Sequence, residues 1–207
     1  MGRLNVIFKC NVDEASCERV RSTITNLLSA IGFNVDREIV IQIGPGPCTG
    51  PCVIYDPHAD ESVVLLETLS SIIMMALGAE LARLGRECKL YIVDGVSVAA
   101  ALAILKSMMP EVYNRAGDKL KPADPSLVKD RFGDLVVSGP GIIKPSQAGG
   151  TEEGMKALLK AVELALEYLN NVSYRLASQK IVTEELGLAL PEKLQWRDLS
   201  SIIASIC

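Results

Sequence analysis

Aromatic side chains are scarce in this chain. Five tyrosines, three phenylalanines and one tryptophan make up 4% of 207 residues, so any sizeable core must be aliphatic. Histidine is scarcer still, with one copy, and no paired CxxC spacing is present, which leaves the usual zinc knuckles without ligands. A basic surplus is also missing. The formal net charge is −4, so no global electrostatic pull toward nucleic acid or anionic lipid exists.

Long uninterrupted apolar runs are absent too. The most apolar stretch, VVLLETLSSIIMMALGA at 63–79, is broken by Glu67, Thr68, Ser70 and Ser71. It is shorter than the roughly 20 residues a membrane span requires, and reads as a buried helix rather than a membrane helix. The opening MGRLNVIFKC has no apolar stretch before a small-residue cleavage site, so no secretory signal is expected. Val6 stands where myristoylation prefers Ser or Thr. These readings place the chain in the cytoplasm, where its six cysteines would default to reduced thiols. Intracellular disulfides in a hyperthermophile are the exception to that default.

What is present is apolar and alternating. Hydrophobic residues are 49% of the chain, enough for one large domain or one domain with an appendage. LNVIFKC at 4–10 reads as a buried strand, and the helix after it opens at Asp13–Ser16 and stops at Gly32. REIVIQI at 37–43 is a second strand, and CVIYD at 52–56 is a short strand or extended loop. Asp60 caps a helix over 61–86. CKLYIVDG at 88–95 reads as a third strand and 96–109 as a helix ending near Pro110. Residues 110–134, with three prolines and dense charge, read as an exposed excursion. LVVSGPG at 135–141 is a fourth strand, Thr151 caps a long helix, and a short helix closes the chain.

Strands alternating with helices predict βαβ units. The expected fold is therefore α/β: a three-layer, open, mostly parallel sheet, Rossmann- or flavodoxin-like. Residues 1–150 would form the sheet domain, and 151–207 a helical C-terminal extension packed on it. In such sheets ligands lie beyond the carboxyl ends of the strands. That rule would collect Cys10, Asn11, Gly44, Gly46, Cys48, Asp94, Gly95, Ser138, Gly141 and Lys144 on one rim.

Two loops invite chemistry. GPGPCTGPC at 44–52 offers glycines for close approach to an anion, yet Pro45, Pro47 and Pro51 remove N–H donors, and a stiff turn explains the same residues. The second, SGPGIIKPSQAGGT, sets Lys144, Gly149, Gly150 and Thr151 before a helix start, where the dipole favours negative charge. Glu152 and Glu153 complement that dipole already. Cys48 and Cys52, spaced CxxxC, suit a nucleophile, a redox pair or a structural bond. His58 between Asp56 and Asp60 suits a metal ligand, a base for a nearby thiol, or a solvated loop with Asp60 as a helix cap. Asp94, at the end of a strand, needs donors or a ligand.

The stretch GAELARLGRECKLYIVDGVSVA at 78–99 resembles the DsrE/F-like sulfur-relay family. The likeness lies in an alanine-rich helix, a glycine turn and a strand ending in D-G-V, and it extends over residues 37–104. It implies an α/β fold, oligomers and persulfide transfer on a cysteine. The helix after Asp94-Gly95-Val96 carries no cysteine, so that role would fall on Cys48, Cys52 or Cys207.

Three functions remain open at this point. One is the binding of a small anionic molecule, nucleotide-like or phosphorylated. Another is thiol-based redox or sulfur transfer at Cys48 and Cys52. The third is a non-catalytic assembly subunit whose apolar helices 61–86 and 96–109 bury in a homodimer. No motif names a cofactor, and none decides whether the chain is an enzyme.

Overall fold

A computed structural model describes residues 4–10, 13–43, 52–55, 60–139, 142–145, 152, 156, 159, 163, 167 and 171–207. In chain order its elements are β1 (Leu4–Cys10), α1 (Glu14–Ala30), β2 (Ile39–Ile43), β3 (Cys52–Tyr55), α2 (Glu61–Arg83) and β4 (Cys88–Lys89). There follow α3 (Leu90–Met108), α4 (Pro110–Lys119), α5 (Pro125–Phe132), β5 (Leu135–Gly139), β6 (Ile142–Pro145) and α6 (Val172–Lys180). α6 runs into a π-helical segment, Ile181–Glu185, and α7 (Trp196–Ile206) comes last. Residues 152, 156, 159, 163 and 167 are helical and exposed.

The fold is mostly helical, which overturns the expected alpha/beta, Rossmann-like or flavodoxin-like three-layer architecture. Strands among the described residues form two separate three-stranded sheets, β2-β1-β3 and β4-β5-β6. Only the first is parallel; β4–β5 and β5–β6 pair antiparallel. The misreading began at LYIVDG. A continuous apolar run bounded by polar residues fits a buried strand and a buried helix equally, because neither shows amphipathic periodicity. Here the run continues through VSVAAALAILKSM, and 19 residues of it form α3. Alanine-rich continuation favours helix propagation, and length decides against a strand.

The 110–134 segment is mostly exposed, as expected, but it is helical rather than irregular. Pro110 and Pro125 sit in the first turns of α4 and α5, where a missing N–H costs nothing. Asp124 caps α5 through the Ser126 N–H at 2.9 Å. These prolines start helices rather than interrupt them.

The expected Asp60 cap and the helix start at Asp13 are present, whereas the expected Thr151 cap lies outside the described residues. Asp13 accepts from the Ser16 N–H at the start of α1, and Asp60 from the Ser62 N–H at the start of α2. Gly32 takes φ +91° just past α1, a left-handed conformation that favours glycine.

One hydrophobic cluster joins the elements. It includes Val6 and Ile39 from the parallel sheet, Leu28 from α1, Leu69 and Leu77 from α2, and Val96 and Leu105 from α3. Ala177, Ile181, Leu199 and Ile203 from the C-terminal region belong to the same cluster. α2 and α3 are long and apolar enough to cross a membrane by length and composition. Yet 78% and 67% of their most apolar windows are buried inside this fold. That burial is internal to the chain.

Three of the thiols expected to be reduced, Cys17, Cys88 and Cys207, are oxidised. Cys88 in β4 is bonded to Cys207, with Cα atoms 5.1 Å apart, inside the span a disulfide bridges. Cys17 is also disulfide-bonded. Among the described residues no cysteine is free.

Candidate functional site

Two regions gather chemistry, and they differ in kind. The first is an ionic network inside the helical core. Asp94 and Arg175 are 0% and 2% exposed in their side chains, and Arg175 Nε donates to Asp94 Oδ1 at 3.2 Å. Arg175 Nη1 donates to the Glu67 carbonyl at 3.4 Å, and Nη2 donates to Ser70 Oγ. Ser70 Oγ in turn donates to the Glu67 carbonyl at 3.1 Å. Ser97 and Ser178 are buried close by in sequence, on α3 and α6.

Helix geometry explains how three elements deliver these groups. Glu67 and Ser70 are three residues apart on α2, so they share a face. Gly95, beside Asp94, lets α6 lie against α3: a Cβ there would meet the Ser178 carbonyl oxygen at 2.6 Å and Val182 Cγ2 at 2.7 Å. Glycine inside a helix costs roughly 1 kcal/mol relative to alanine. The close approach it permits is what puts Arg175 within reach of Asp94.

Glu67 lies half-buried at the edge of this network. Burial pushes its carboxyl above the usual glutamate range, opposed by the nearby Arg175 charge. A hollow of about 10 Å³, room for one water-sized molecule, is lined by Leu66, Glu67, Ser70, Val98, Arg175 and their neighbours.

The second region is the carboxyl edge of the parallel sheet. β2 pairs with β1 over Leu4–Phe8, and β3 pairs with β1 over Ile7–Cys10, on the opposite side. The strand order β2-β1-β3 therefore reverses direction across β1. α1 begins at Glu14 shortly after β1 ends, and α2 begins at Glu61 shortly after β3 ends. Both helices thus start from the edge toward which all three strands run. Lys119 at the end of α4 bonds Asp60 there, and that hydrogen bond, with the Ser62 N–H, holds the Asp60 carboxyl below its usual range.

The structure separates residues that the sequence had grouped. Asp94 does not end a strand; it sits inside α3 and faces Arg175. Ser138 in β5 and Lys144 in β6 belong to the antiparallel sheet, whereas Cys52 begins β3 in the parallel one. The single rim of four loops therefore does not form. Gly44, Gly46, Cys48, His58, Gly141, Gly149, Gly150 and Thr151 lie outside the described residues.

Arg175 and Glu67 are the residues that sequence reasoning missed as a site. A signal existed: Glu67 and Ser70 interrupt the most apolar run of the chain, and Asp94 interrupts the next. Polar groups in helices that are apolar all round need internal partners.

A further hollow of about 380 Å³ opens between the end of α1 and the start of α7, lined by Ile31, Gly32, Gln195, Trp196, Arg197 and Asp198. The Trp196 ring lies against Phe33 with ring centroids 4.3 Å apart, and the Trp196 backbone N–H donates to the Ile31 carbonyl at 2.7 Å. Arg197 and Asp198 balance each other's charge, so this hollow shows no preference of sign.

No family model matches the chain, and neither a curated protein nor a solved structure is similar to it. The likeness to the DsrE/F-like sulfur-relay family is neither supported nor opposed by those comparisons.

Proposed function

We propose that the chain binds a small anionic molecule, nucleotide-like or phosphorylated, beyond the carboxyl ends of β1, β2 and β3. The observation that carries this reading is the strand order β2-β1-β3, parallel throughout, with its reversal at β1. Ligands of parallel sheets lie outside the carboxyl ends at such a reversal, because adjacent connections leave in opposite directions and open a crevice. Two helix N-termini, capped by Asp13 and Asp60, start from this edge, and helix dipoles favour negative charge there. Lys119 supplies a cation at the same edge. The glycine segment 44–50 follows β2 in sequence and leads toward β3.

The helical core is a poor rival for that role. Arg175 spends its donors on Asp94, Ser70 and the Glu67 carbonyl, and the adjacent hollow holds no more than one water-sized molecule. The thiol reading depends on Cys48, outside the described residues, and on Cys52, the first residue of β3.

A thermal-shift series with inorganic phosphate, AMP and ATP at constant ionic strength tests the proposal. Ligand at 100 times its Kd should stabilise the native state by about 2.7 kcal/mol. Lys119→Ala should shift the required concentration upward. Absence of any shift with all three anions at millimolar concentration would sink the reading.

A further inference from the structure

α7 is fastened to the end of α1. The Trp196 backbone N–H donates to the Ile31 carbonyl, and the Trp196 ring lies against Phe33, with both rings buried. The hollow of about 380 Å³ between the two helices is therefore framed by walls that are fixed to each other. Its volume falls within the roughly 300–1,000 Å³ that small-molecule sites occupy. Gly32, at φ +91°, keeps this space open, since a Cβ there would meet Gln195 Oε1 at 3.0 Å.

Two charges of opposite sign line the hollow, Arg197 and Asp198. They are consecutive on α7, so their side chains leave the helix about 100° apart and do not face each other. Among the described residues, neither side chain enters an ion pair. Both are exposed, as is Gln195, whereas Ile31 and Trp196 in the same lining are buried. The hollow thus combines a buried apolar floor with an uncommitted cation and an uncommitted anion at its rim.

We propose that this hollow is a binding site for a free aliphatic α-amino acid in its zwitterionic form. A simple anion placed here would meet Asp198 as well as Arg197, and a simple cation would meet the reverse, so attraction and repulsion offset each other. A zwitterion satisfies both groups. Its carboxylate accepts from the Arg197 guanidinium, whose planar fork matches that shape, and its ammonium donates to the Asp198 carboxylate. Its side chain lies on the apolar carbon of Ile31 and Trp196, and no further charge among the described lining residues calls for a charged side chain. Both ionic contacts are open to water and screened, so the affinity is weak, with a Kd in the millimolar range.

This site is independent of the sheet edge. α1 starts at that edge and its far end bounds the hollow, and 17 residues of helix put the two about 25 Å apart.

Titration of the intact chain with L-leucine at constant ionic strength, followed through the amide NMR signals of Gly32, Trp196 and Arg197, reads the site directly. N-acetyl-leucine lacks the ammonium and leucinamide lacks the carboxylate, so each should bind about fivefold more weakly than leucine. Arg197→Gln should weaken leucine by a similar factor and leave leucinamide unchanged. Asp198→Asn should weaken leucine and leave N-acetyl-leucine unchanged. Both side chains are exposed, so neither variant threatens the fold. The proposal is overturned by any of three results: no saturable shift of these signals with leucine up to its solubility limit, equal binding of leucine and its two derivatives, or an Arg197→Gln effect that is the same for leucine and leucinamide.

Discussion

The helical core and the parallel-sheet corner handle charge in opposite ways. In the core, Asp94 and Arg175 are sealed among α2, α3 and α6, and the network leaves no cation for a ligand. At the sheet corner, Asp60 and Lys119 are partly exposed at 28% and 51%, and two helices begin at the same edge. The first arrangement specifies how helices dock; the second leaves charge where a solute can meet it. A buried ion pair returns little net stability, because desolvation offsets attraction, but it punishes any docking that parts its members.

Removing one member of the buried pair should break this contrast most severely. Arg175→Met leaves the Asp94 charge buried without its guanidinium and should cost about 3–5 kcal/mol in a denaturant titration. The double variant Asp94→Leu with Arg175→Met should recover most of that loss, since an apolar pair of similar volume is often neutral or better. If the single variant is nearly silent, the pair does not hold the core.

Opening the Cys88–Cys207 bond should come next. It closes a separation of 119 residues, and constraining the unfolded chain over such a loop is worth about 2–5 kcal/mol. The Cys88→Ser, Cys207→Ser double variant should lose that much in denaturant. α7 should keep its helicity, because Trp196, Leu199 and Ile203 remain buried and Arg86 still donates to the Ala204 carbonyl.

Gly95→Ala tests the docking of α6 with one added carbon. The new Cβ would press on backbone at 2.6 Å, and the strain should cost about 1–3 kcal/mol. At the small end, Arg131→Gln removes the exposed pair with Glu167 and should cost less than about 1 kcal/mol. A large effect at Arg131 would erase the distinction between buried and surface charge.

Particular residues show what could be read before folding. Asp13 and Asp60 announced helix starts, because a short acidic side chain satisfies N–H groups a few bonds away. Gly32 announced a helix end for an equally local reason. The candidate site was less legible. Asp94 was noticed, but as the end of a strand; its partner lies 81 residues later and carried no mark of its own.

The sequence alone determined the features set by neighbours along the chain: the caps, the aliphatic character of the core and the apolar α2. Only the tertiary structure decided whether LYIVDG coils or extends, which strands pair in parallel, and which cation meets Asp94. Those outcomes turn on packing between distant segments. A fully buried apolar run has no exposed face to record its period, and a buried charge is satisfied through space rather than along the backbone.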